Sequence, residues 1–93
     1  MLEKEPNDLF LKYALGMEYL GEGDDNSAEK YFRAVILADE HYVSAYYQLG
    51  MLAMKRRKDA EALEILQKGL HEAQQKKDLK TINEFRALID QID

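Results

Sequence analysis

Leu15-Gly16-Met17 and Leu49-Gly50-Met51 are the same tripeptide 34 residues apart, and that spacing decides the fold. Sliding the chain over itself by 34 also places Tyr13 on Tyr47, Asp25 on Asp59 and Ala28 on Ala62, giving six identities between residues 9–42 and 43–76. Random pairing at ordinary residue frequencies gives about two. Five further pairs stay apolar: Leu9/Val43, Leu20/Met54, Tyr31/Ile65, Phe32/Leu66 and Ile36/Leu70. Matches that fall on apolar and small positions mark a repeated packing unit.

Each unit reads as two helices. Leu9, Phe10, Tyr13, Met17 and Leu20 recur at three- and four-residue spacing, an apolar helical stripe. Gly21-Glu22-Gly23 predicts its stop, because Gly enters the left-handed C′ conformation at little cost. Asp24 or Asp25 is expected to cap a second helix striped by Ala28, Tyr31, Phe32, Val35 and Ile36. After a linker at Asp39–His41 the plan repeats with Val43, Tyr46, Tyr47, Leu49, Gly50, Ala53 and Met54. Lys55–Lys58 forms the next turn, and Asp59 is expected to cap a helix carrying Ala62, Leu63, Ile65, Leu66, Leu70 and Ala73. Asp78 is placed to cap a last helix with Leu79, Ile82, Phe85, Ile89 and Ile92 along one side.

The small residues indicate how each pair packs. Gly16 and Gly50 fall inside helices, where Gly costs about 1 kcal/mol relative to Ala. Ala28 and Ala62 fall at matching places one turn into the following helices. Small residues on both partners predict close backbone approach in an antiparallel hairpin, made twice. Acid-first pairs at i,i+4, namely Asp8–Lys12, Glu29–Arg33, Glu64–Lys68 and Glu72–Lys76, support helicity by about 0.2–0.5 kcal/mol each.

Composition agrees with one small helical domain. The chain has 93 residues, 46% of them hydrophobic and 33% charged, which is enough to bury a core. With no Cys, disulfides and thiolate metal sites are excluded. A net charge of −5 argues against nucleic acid as a partner. No apolar run approaches the roughly 18 residues of a membrane span. Residues Met1–Asn7 hold no apolar signal core, so a cytoplasmic location is expected.

No catalytic constellation stands out. Ser27, Ser44 and Thr81 sit in no nucleophile motif, and Ser27 reads as part of a helix start. His41 and His71 are 30 residues apart and read as isolated and solvated. No metal motif, phosphate loop or dinucleotide fingerprint is present. The sequence therefore points to no enzyme, no cofactor and no metal. Lys55-Arg56-Arg57-Lys58 is the sharpest charge run, and within an acidic chain it reads as a solvated turn beside a helix C-terminus.

With these residues in place, the chain resembles the tetratricopeptide repeat family. The first repeat carries Leu15-Gly16, Tyr19, Ala28 and Phe32, and the second Tyr46, Leu49-Gly50, Ala53, Ala62 and Leu66. Where the family has a leading Trp this chain has Lys12 and Tyr46; a later Ala is Val35 and Gly69; the closing Asp-Pro is Asp39-Glu40. The resemblance implies an all-α fold of five antiparallel helices, a fragment of a right-handed solenoid. Residues 1–93 then divide into a lead-in (1–8), two repeats (9–42 and 43–76) and a capping helix (77–93). Glu5-Pro6-Asn7 looks like the tail of a preceding repeat.

The resemblance also implies where function sits. In that family the first helix of each repeat lines a concave groove that holds a peptide or helix. Carried over, the groove would display Phe10, Tyr13, Met17 and Leu20, then Tyr47, Met51, Met54 and Lys55, then Asn83, Ala87 and Asp90 from the last helix. Leu15, Gly16, Ala28, Phe32, Leu49, Gly50, Ala62 and Leu66 would hold the repeats together. The chaperone-binding branch clamps a C-terminal carboxylate with Lys and Asn; here the matching residues are Tyr13, Met17 and Gln48. An apolar ligand segment therefore fits better, bound by a non-catalytic module. The alternative is that the groove of one copy covers that of another in a homodimer.

Overall fold

The computed structural model describes residues 8–92, and the regular structure among them is entirely helical. Five helices follow in order: α1 (Leu9–Gly21), α2 (Asp25–Ala38), α3 (Val43–Lys55), α4 (Asp59–Gln75) and α5 (Leu79–Ile92). The α1/α2 and α3/α4 pairs form hairpins, α2 packs on α3, and α5 covers α4 while also reaching α3. The shortest dimension, 18 Å, is about two helix diameters. One layer holds α1, α3 and α5, and the other α2 and α4. No described helix is long and apolar enough to cross a membrane. The proposed repeat tail at Glu5-Pro6-Asn7 lies outside the described residues.

Three turns share one hydrogen-bonding plan. The Gly23 amide donates to the Leu20 carbonyl and the Asp24 amide to that of Tyr19, which satisfies carbonyls the helix end would orphan. Arg57 and Lys58 repeat this onto Met54 and Ala53, and Lys77 and Asp78 onto Gln74 and Ala73. The plan needs a left-handed residue, with φ of 84° at Gly23, 62° at Arg57 and 56° at Lys77. Gly23 performs the stop its sequence predicts, whereas the later turns do it with basic residues.

Capping follows the turn alignment. Asp8 Oδ1 accepts from the Leu11 amide at 3.0 Å and Asp24 Oδ1 from the Ser27 amide at 3.1 Å, so Asp24, not Asp25, caps α2. Asp78 accepts from the Thr81 amide at 3.3 Å and from its hydroxyl at 2.7 Å. At α4 the expectation is corrected. Asp59 is the first helical residue, and Lys58 holds the cap position with no side-chain cap bond. Lys58 occupies the place that Asp24 occupies one repeat earlier. Lys58→Asp should add a cap of about 0.5–2 kcal/mol and remove a cation from the positive end of the helix dipole. Calorimetry should show a midpoint raised by roughly 4–8 °C for each kcal/mol gained; a lower midpoint would count against this cap geometry.

Two clusters make the core. Ala28, Phe32, Val35, Ala45, Leu49 and Leu52 join the hairpins, and Tyr46, Leu66, Ala73, Ile82, Phe85 and Leu88 seat α5. Ala28 and Ala62 are fully buried, yet the glycines do not simply face them. A Cβ on Gly16 would lie 2.6 Å from the Phe32 ring, and one on Gly50 2.2 Å from Leu66 Cδ2. Each of these two glycines, Gly16 and Gly50, is thus the seat of a large side chain four residues beyond the alanine. Leu49 is buried as expected, whereas Leu15 is only half-buried.

Candidate functional site

The α1–α3–α5 layer carries a cleft of about 260 Å³ lined by Tyr13, Ser44, Tyr47, Gln48, Thr81 and Glu84, with Val43 and Phe85 behind them. The core fixes its rings from below. Tyr13 packs on Phe32 and Tyr42, with centroids 5.5 and 5.4 Å away, and Tyr47 meets Phe85 edge-on at 5.5 Å. Gln48 Nε2 donates to the Tyr13 hydroxyl at 3.4 Å, linking α3 to α1 across the cleft. The cleft therefore offers fixed aromatic surface with a few polar atoms at its edge.

Phe10, Met17 and Met51 extend this layer as exposed apolar side chains, at 72, 38 and 41%. Leu20 and Met54 contribute less, because both are half-buried and pack against the two core clusters. Lys55 turns its ammonium to Asp25 Oδ2 at 2.8 Å, towards α2. Asn83, Ala87 and Asp90 lie exposed on α5. Ser44, Thr81 and Glu84 join the cleft without having been singled out. Adding the two inserted residues before α5 to the 34-residue lag places Glu84 at the position of Gln48, a signal already in the sequence.

The basic run after α3 is more engaged than a solvated turn. Arg56 bonds Glu29 and, at 2.8 Å, Asn26 Oδ1. Arg33 holds Glu29 at 2.7 Å and Glu61 at 2.9 Å. Together they tie α2, α4 and the turn after α3. Arg33, aided by Arg56 and opposed by partial desolvation, holds the Glu29 carboxyl below the usual range. Arg57 and Lys58 remain exposed.

A broader depression of about 1090 Å³ opens beside α2 and α4, where the two histidines stand exposed, as expected of solvated side chains. Both line it. His41 Nδ1 lies 2.8 Å from Glu72 Oε1, and Lys76 Nζ donates to the His41 carbonyl at 2.9 Å. Glu72 and Lys76, expected as a pair within one helix, both close on the linker instead. The Glu72 carboxylate raises the His41 pKa above 6.5, favouring imidazolium. Tyr46 donates its hydroxyl to the Glu40 carbonyl at 2.8 Å from the same side. These contacts pin the α2–α3 linker to α4. Among the described residues no three His, Cys, Asp or Glu side chains gather as a metal site.

The sequence model of the tetratricopeptide repeat matches residues 19–90. Two solved structures of a tetratricopeptide repeat domain protein from Salinibacter ruber are similar to this chain. The solution structure has a TM-score of 0.88 at 26% identity, covering 97% of this chain and 91% of that one. The crystal structure has a TM-score of 0.86 at 26% identity, covering 91% and 94% respectively. No curated protein matches the chain.

Proposed function

This chain belongs to the tetratricopeptide repeat family, and from that premise we propose that it holds an apolar peptide segment or helix on the α1–α3–α5 face. The family is a class of non-enzymatic repeat scaffolds, and its fold generally mediates protein–protein interaction. One observation carries the finer reading: Phe10, Met17 and Met51 are exposed along the same layer as the tyrosine-lined cleft. Contiguous exposed apolar surface marks interfaces. Met adapts to irregular apolar partners, while the fixed tyrosines offer contact area at little entropic cost. Self-association through this face is the competing reading.

The test begins with amphipathic helical peptides selected from a display library for binding to the unaltered chain. Met17→Ser combined with Met51→Ser should weaken the selected peptides by roughly 10-fold or more, because two apolar contacts of about 1 kcal/mol each are lost. Helical circular dichroism should be unchanged, since both side chains are exposed. Undiminished binding by the folded double variant would place the ligand on another face.

A further inference from the structure

The cleft between α1, α3 and α5 is charged in one sense only. Tyr13, Ser44, Tyr47, Gln48 and Thr81 line it with rings, hydroxyls and an amide, and Glu84 supplies its one carboxylate. No Lys, Arg or His lines it among the described residues. Lys55, the cation expected on this face, is drawn away to Asp25 at 2.8 Å.

The repeat shows what is unusual about Glu84. Once the two inserted residues are counted, it stands where Gln48 stands one repeat earlier. Gln48 donates its amide to the Tyr13 hydroxyl. A carboxylate has no proton to give, so Glu84 cannot donate to Tyr47 in the same way. Glu84 is exposed at the mouth of the cleft. Among the described residues no ion pair engages it, although Lys80 lies one turn earlier on α5. Nor does any side-chain hydrogen bond.

Size decides what can enter. At about 260 Å³ the cleft equals roughly eight or nine water volumes. That admits one long side chain, not a helix about 10–12 Å across. A helix lying on Phe10, Met17 and Met51 can therefore lower only a single side chain into it. An apolar one would strip water from the carboxylate and return no hydrogen bond, and an acidic one would meet like charge. A cation meets both linings, pairing with Glu84 and resting against the tyrosine rings. A guanidinium suits them best, because its planar fork both stacks and pairs bidentately. The net charge of −5 also favours the approach of a basic segment.

We propose that the segment held on this face carries a basic side chain, Arg above all, that enters the cleft between Tyr13 and Tyr47 and pairs with Glu84. The inference rests on the peptide-binding reading of the face and adds the charge of the ligand to it.

The test selects amphipathic helical peptides from the display library on the unaltered chain and, separately, on Glu84→Arg. Glu84 is exposed, so circular dichroism of the variant should be unchanged. Peptides from the unaltered chain should share an Arg or Lys at one position of the apolar face, and those from Glu84→Arg should carry Asp or Glu there. By calorimetric titration, Glu84→Arg should weaken a selected Arg peptide about 10-fold or more, and exchanging that Arg for Glu should restore binding to within about 3-fold. Glu84→Gln, which keeps the shape, should weaken the Arg peptide by about 3-fold. Peptides that share no basic position and bind Glu84→Arg undiminished overturn the inference. If those same peptides are weakened by Met17→Ser with Met51→Ser, the face reading survives without it. If they are not, the face reading falls as well.

Discussion

Phe85→Ala should cost about 3–5 kcal/mol, the range for deleting a fully buried ring. A 93-residue domain holds about 5–14 kcal/mol in all, so the variant should sit close to its unfolding threshold. Phe85 is completely buried and is the largest side chain that α5 places in the second cluster. Its ring fills the space above Gly69 and meets the Tyr47 ring edge-on. Removing it leaves a cavity where α5 meets α4 and takes the support from one wall of the cleft. In a stacked array each unit is held by its neighbours, so loosening α5 also uncovers Leu66 and Ala73 on α4. Urea unfolding followed by circular dichroism should show a midpoint shifted far to lower denaturant. Amide exchange in α5 should quicken ahead of that in α2, whose core cluster is separate. A loss below about 1 kcal/mol would mean that α5 is not seated through Phe85, because a cavity of that size cannot be created so cheaply.

The repeat was legible because packing writes the same demand twice. Gly16 and Gly50 stand out at one lag, and each proves to be the seat of a buried side chain, Phe32 and Leu66. Features written once were harder to read. Gly69 looked like the loss of an alanine, since its reason is Phe85, on a helix with a different register. Arg57 and Lys77 take the left-handed turn position without the residue that announces it. Asp59 matched Asp25 in the repeat, but both lie one residue past the cap, which tertiary alignment assigned to Asp24 and Lys58. The contacts of His41 with Glu72 and of Lys55 with Asp25 span about 30 residues, and no local pattern encodes them. The cleft was legible as a stripe on two helices. How far Leu20 and Met54 sink into the core depends on neighbours the stripe does not specify.

Gly69→Ala should destabilise the protein even though Ala is the better helix former by about 1 kcal/mol. A Cβ at Gly69 would lie 2.4 and 2.5 Å from two atoms of the Phe85 ring and 2.8 Å from Tyr46 Cβ. The new methyl is thus caught between two elements. The ring cannot swing clear, because Phe85 is fully buried, and Tyr46 Cβ moves only with the α3 backbone. Overpacking that forces such shifts costs about 1–3 kcal/mol. The cost should exceed the propensity gain, while Gly21→Ala, where nothing lies within 4 Å, should be neutral or slightly stabilising. The decisive comparison is a double-mutant cycle with Phe85→Leu, which trades the ring for a smaller side chain. In that background Gly69→Ala should lose most of its cost, giving a coupling of about 0.5–3 kcal/mol. Strictly additive effects would show that the glycine is not there to admit the ring.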